Sequence, residues 1–281
     1  MRLWCAKLLE PWSWEFRAYP GVWLAVAAVV VPYLVAQHRR RGPNPDRARR
    51  TAAWLAGAAI LWLATDWPLG LLGASYLASA HMVQYLLYTL AAAPLLLLGT
   101  PEWMARRVLS RLRLYRLACR LSRPLVAALV FNALLLVTHS PFVVDRFRAN
   151  ELGSFAMDVV WLASGLLLWL PIVAPLPELR QSSRPVKMIY LFLAAGVVPA
   201  IPAGFLTFAP YPLYATYELA PRVGGIQADV DQQMAGLLMK LGGIPIVWGA
   251  MLAQMLLWAN EAGVGKPPPR LPRGAAPVPP S

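Results

Sequence analysis

Long apolar stretches alternate along the chain with short polar intervals rich in arginine and proline. A helix needs roughly 20 apolar residues to cross the hydrocarbon core of a bilayer, and most of these stretches approach or exceed that length. The pattern predicts seven spans, at about residues 20–37, 51–63, 76–98, 124–138, 154–174, 186–208 and 229–258. Turn-forming groups separate them: Gly42-Pro43-Asn44-Pro45, Asp66-Trp67-Pro68, Gly99-Thr100-Pro101, Ser140-Pro141 and Pro175-Leu176-Pro177. Pro199 and Pro202 fall inside the sixth span, where a proline frees carbonyls and kinks the helix.

The polar intervals carry the rest of the organisation. Residues 1–19 combine Trp4, Trp12 and Trp14 with mixed charges, a composition expected of a segment lying at the membrane surface. After the third span, leucines interleave with seven arginines from Arg106 to Arg123, which predicts one basic amphipathic helix over about 102–123, lying on anionic headgroups. A polar loop with Asp145, Arg146, Arg148 and Glu151 joins spans four and five. Residues 263–281 are proline-rich and read as a disordered tail beyond a membrane domain at 20–262.

Composition settles the class. The chain is 58% hydrophobic and 14% charged over 281 residues, where a soluble domain carries nearer a quarter charged residues. The fold class expected is therefore all-α, a polytopic transmembrane helical bundle. The formal charge of +13 gives no case for nucleic acid, because Lys and Arg collect in the intervals 39–50, 106–123 and 180–187 and in the tail. Those intervals alternate with arginine-poor ones, which places the N-terminus outside and the C-terminus inside. Cys5 and Cys119 then lie on opposite sides, which leaves no internal disulfide. No signal-peptide core precedes residue 20, so the first span is expected to act as the insertion signal.

Polar residues within the spans are the candidates for chemistry. His81, Gln84, Tyr85 and Tyr88 fall on one stripe of the third span, beside Met82. With the orientation above, His81, His139, Met157, Asp158, Asp229, Asp231 and Met234 gather near one face of the membrane, with Gln232 beside them at the start of the seventh span. Imidazole and thioether suit copper, while carboxylates suit harder ions or a proton relay. A structural reading stands beside these, since His and Asp near helix ends also cap helices and tie down loops. Lys240 sits about 13 Å deeper than Asp231 along a helix, so it is expected to face the bundle, with Asp158 as a partner, or to snorkel toward the inner surface.

These residues resemble a known family, the seven-span CtaG family of cytochrome c oxidase assembly factors. The strings that carry the resemblance are His81-Met82-Val83-Gln84 with Pro94 and Gly99-Thr100-Pro101, then Asp231-Gln232-Gln233 with Ala235-Gly236 and Met239. The tryptophan-rich start and the stretch Gly165 to Trp169 with Pro171 are also similar. The resemblance implies a non-enzymatic role in maturing a haem-copper oxidase, whose subunits are the expected partners, in a bacterial cytoplasmic membrane. It also implies copper, handled at the outer face, with His81, Met82, His139, Met157, Asp158 and Asp231 as the candidate ligand set. The sequence departs from the family pattern where Tyr85 and the pair Ser154 and Asp158 replace histidines common in it, and near Pro199.

Two other classes remain open from the residues: a metal-free scaffold within a respiratory complex, and a small-ion or proton transporter using Asp158 and Lys240. The chain lacks G-x-S-x-G, a phosphate-binding loop, a dinucleotide fingerprint and a haem-attachment cysteine pair, and its three histidines are too few for several haems.

Overall fold

The computed structural model describes residues 2–40 and 45–262, whose regular secondary structure is all helix, with no strand among the described residues. The turn at 41–44 and the tail at 263–281 lie outside the described residues. The helices are α1 (Pro20–Arg39), α2 (Arg47–Thr65), α3 (Ala78–Gly99), α4 (Glu102–Arg111), α5 (Tyr115–Leu121), α6 (Pro124–Thr138) and α7 (Pro141–Arg148). There follow α8 (Glu151–Val173), α9 (Arg184–Phe208), α10 (Ala215–Glu218), α11 (Ala228–Leu241) and α12 (Ile244–Glu261).

Five helical segments are long and apolar enough to cross a membrane: α1, α3, α8, α9 and the α11–α12 rod. Two bent pairs raise the number to seven. The helical hook Leu69–Tyr76 turns 54° from α2, and α6 turns 87° from α5. The chain is thus an apolar helical membrane protein with five to seven candidate spans.

Local sequence accounts for the helix ends. Prolines open α1, α6, α7, α9 and α12, where a missing N–H costs nothing. The Asn150 side chain accepts from the Gly153 N–H at 2.8 Å and caps α8. Inside α3 and α9, π-helical turns at Leu87–Ala92 and Phe192–Val197 precede Pro94 and Pro199. The ladder shifts by one residue there, as in the Val198 N–H bond to the Leu193 carbonyl at 3.1 Å. Where a kink was expected in the sixth span, the structure has this widened turn just before Pro199.

Three sequence expectations change. The segment 102–123 is two helices, broken where Arg113 takes φ 56°; leucine spacing continues through the break and conceals it. The interval after α6 forms α7, an eight-residue amphipathic helix that was expected to be loop. The N-terminal segment inserts among the helices, with Trp4, Cys5, Ala6 and Leu8 buried and the Leu8 N–H donating to Ser75 Oγ at 2.6 Å.

α3 is the central helix, packed against α2, α8 and α11. Small residues set these crossings, as expected where lipid supplies no hydrophobic drive and close packing must. At Gly165 of α8 a Cβ would sit 2.6 Å from the Thr89 Cα, and at Gly99 of α3 it would sit 2.4 Å from the Trp54 Cβ. We expect Gly165→Ala to cost about 1–3 kcal/mol and lower the thermal midpoint in detergent. Gly249→Ala, which meets open space, leaves the midpoint unchanged. Equal midpoints for both variants would show that the α3–α8 crossing tolerates a methyl group.

Candidate functional site

A polar cluster sealed inside the bundle joins α3, α7, α8, the end of α6 and the loop bearing α10. Trp161 of α8 is its floor. The His81 ring meets Trp161 edge-on at 4.6 Å, and the His139 ring lies stacked on Trp161 at 5.9 Å with 22° between planes. The two imidazole centroids are 5.9 Å apart, and Tyr85 packs edge-on against His139 at 4.6 Å. The Arg148 guanidinium lies over Trp161 at 4.9 Å from the ring centroid. His81 and Arg148 are fully buried, and His139 nearly so.

Hydrogen bonds on the far side of each imidazole decide its tautomer. Tyr217 Oη lies 2.7 Å from the Gly73 carbonyl and 2.8 Å from His81 Nδ1. Burial pushes the Tyr217 hydroxyl above the usual phenol range, so it keeps its proton. A carbonyl can only accept, so Tyr217 donates its single proton to Gly73, and His81 Nδ1–H donates to the Tyr217 oxygen. His139 Nδ1 lies 2.9 Å from the Leu135 carbonyl and must likewise carry its proton there. In its neutral form each ring therefore presents a bare Nε2 lone pair. Both Nε2 atoms are buried without a hydrogen-bond partner, as are Tyr85 Oη and Trp161 Nε1.

The charged members are tied up. Arg148 Nη1 approaches Asp158 Oδ1 at 3.2 Å, off the line of a hydrogen bond, and Trp4 Nε1 donates to Asp158 Oδ2 at 2.8 Å. Arg148 keeps Nε and Nη2 without partners. Met82 and Met157 are buried in the same hydrophobic cluster as Trp161 and Tyr85.

Of the residues singled out from sequence, the fold brings His81, His139, Tyr85, Met82, Met157 and Asp158 into this region. Asp231 is held elsewhere: its carboxylate accepts from the Ala78 N–H at 2.5 Å, the Ser79 N–H at 3.2 Å and the Ser79 hydroxyl, which caps the start of α3. Gln232 binds the loop before α10, accepting from the Leu213 N–H at 2.6 Å. Gln84 donates to the Ala64 carbonyl at 2.7 Å and joins α3 to α2. Asp229 is exposed.

Lys240 is exposed on α11 and makes no ion pair with Asp158, whose partner is Arg148. The expectation of a bundle-facing Lys240–Asp158 pair is thereby corrected. Lys240 is exposed on α11 beside α9, and Asp158 turns to Arg148 of α7. Among the described residues no group of three or more His, Cys, Asp or Glu could hold a metal ion. The donors that remain are two imidazoles with thioethers nearby.

Sequence reasoning did not pick out Arg148, Trp161, Trp4 or Tyr217 for the site. Trp161 lies three residues after Asp158 on the same face of α8, which was a usable signal. Arg148 gave none, since an arginine beside an apparent loop normally faces water.

Comparison with known proteins follows the same direction. Residues 31–261 match the sequence model of the cytochrome c oxidase caa3 assembly factor family. Two uncharacterised proteins, one from Mycobacterium bovis and one from Mycobacterium tuberculosis, are each 24% identical over 265 residues. Each of these matches covers 88% of this chain but 40% of the longer relative. No solved structure matches. With the match spanning every helix that builds the polar cluster, the chain belongs to the cytochrome c oxidase caa3 assembly factor family.

Proposed function

We propose that this chain assists cytochrome c oxidase assembly as a non-enzymatic membrane factor that holds cuprous copper as cargo in the His81–His139 cluster. The observation that carries the reading is the pair of buried Nε2 lone pairs, each aimed by a hydrogen bond behind the ring. Metal-binding histidines are oriented in this way by their other nitrogen. The donor set is soft and neutral. Imidazole and thioether favour Cu(I), and Asp158 is already matched by Arg148, so no spare carboxylate is present to balance a divalent ion.

The distribution of Lys and Arg supports the N-out, C-in orientation in a bacterial cytoplasmic membrane, with the cluster toward the outer surface. α4 and α5 then lie on the cytoplasmic leaflet and offer their arginines to anionic headgroups. Copper subunits of the haem-copper oxidase are the partners this reading requires. A metal-free scaffold is the second reading, favoured by the closed burial of His81 and His139.

Copper measured on protein purified under reducing conditions tests the cargo. We expect His81→Ala and His139→Ala each to fall to background while Asp231→Asn, a helix-cap variant, keeps its copper. Equal copper in wild type and both histidine variants would leave the scaffold reading. Oxidase activity in cells carrying each variant, with and without added copper, tests the assembly role separately.

The hydrogen bond behind His81 can be removed on its own. Tyr217→Phe removes the acceptor for His81 Nδ1–H without opening a large cavity. Competition against a cuprous chelator is expected to show affinity reduced about 10–100-fold, the usual effect of losing a supporting partner behind a metal-binding histidine. Unchanged affinity would remove Tyr217 from any role in aiming His81.

A further inference from the structure

α9 and the α11–α12 rod leave a groove beside α3 that the chain does not fill. A cavity of about 360 Å³ lies between α3, α9 and the α11–α12 junction, bordered by Phe192, Gly196, Ala200, Lys240 and Trp248. A second cavity of about 570 Å³ continues along α9 past Ile201, Gly204, Phe205 and Phe208. The α9 residues that border the two run from Phe192 to Phe208, about 25 Å of helix and most of the thickness of a hydrocarbon core.

Three features separate this groove from an ordinary lipid-facing surface. Gly196, Ala200 and Gly204 recur every fourth residue and so share one face of α9, and a Cβ on either glycine would meet nothing within 4 Å. Small residues at this spacing let a second helix approach closely. Lys240 is exposed at the groove, well inside the apolar rod, where an ammonium is costly unless it meets a counter-charge. Tyr85 lines the inner wall of the first cavity, and its buried hydroxyl has no hydrogen-bond partner.

The neighbouring acids of this chain do not answer Lys240. Glu261 pairs with Arg184 at 3.0 Å, Asp158 with Arg148, and Asp231 with the start of α3. Asp229 is eleven residues away, about 16 Å along the helix. A second copy would meet the same shortage, because its Asp158 and Asp231 are buried in its own interior and its Glu261 is paired with Arg184. Charge complementarity therefore calls for a different chain.

We infer that the α9 groove receives a membrane-spanning helix of another protein, carrying an Asp or Glu at the depth of Lys240. The Gly196–Ala200–Gly204 face sets the closeness of the two helices, and the Lys240 ammonium with the carboxylate sets their register. The docking surface is separate from the imidazole cluster and does not depend on copper.

Photo-crosslinking of the full chain in native membranes tests this. Benzoylphenylalanine in place of Ala200 is expected to give an adduct with a transmembrane peptide that contains a carboxylate. The same label in place of Leu129, 63% exposed on α6, gives lipid adducts only. Lys240→Met should reduce the protein adduct about ten-fold, the order of one polar contact between membrane helices, and Lys240→Arg should retain it. Gly204→Leu, which enters open space, should abolish the adduct while leaving copper content and thermal midpoint unchanged. Adducts with lipid alone, with a second copy of this chain, or with a helix lacking Asp and Glu would overturn the inference, as would equal yields from wild type and Lys240→Met.

Discussion

The ion pair between Arg148 and Asp158 is the contact on which the polar interior depends. Both side chains are almost completely buried, and removing either would strand a charge in a low-dielectric interior at a cost of several kcal/mol. To stay paired, α7 must return to the bundle and present its last residue to the second turn of α8. The N-terminal segment completes the arrangement. Trp4 donates to Asp158, and the Lys7 N–H bonds the Arg148 carbonyl at 2.9 Å. One interaction thus ties together a terminal segment, a short helix and a long span.

That pair also sets the electrostatics of the imidazole cluster. Arg148 lies over Trp161, against which both histidines pack, so an unbalanced guanidinium there would repel any cation. With Asp158 beside it the region is close to neutral overall. The histidines can then stay uncharged, with their protons directed outward to Tyr217 and Leu135. Helix geometry makes this feasible. The hook Leu69–Tyr76 delivers the Gly73 carbonyl to Tyr217, and Asp231 fixes the start of α3 only three residues before His81.

Packing of the bundle places the two surfaces of interest on either side of α3. Toward α7 and α8 lies the closed cluster, and toward α9 and α11 lies the open groove, with Tyr85 bordering both. The proline-induced π turns of α3 and α9 face this second side. There the widened ladder and the glycines leave space that the chain's own side chains do not occupy.

Hydropathy alone determined that this is a helical membrane protein and where its long apolar helices run, because span length is dictated by bilayer thickness whatever the neighbours are. It also determined that His81 is unusual, since lipid does not tolerate an imidazole without a purpose. It missed α7 because eight residues mixing Phe and Val with Asp and Arg satisfy a loop as readily as a helix. It left Lys240 open between a pair with Asp158 and the inner surface, because depth along a helix can be counted in sequence, whereas the direction a side chain faces depends on which helices surround it. Only the tertiary structure decided that Asp231 caps a helix some 150 residues earlier, that Arg148 is an interior residue, and that His139 meets His81. Those are long-range pairings, and no local pattern of residues encodes which distant partner a buried polar group will find.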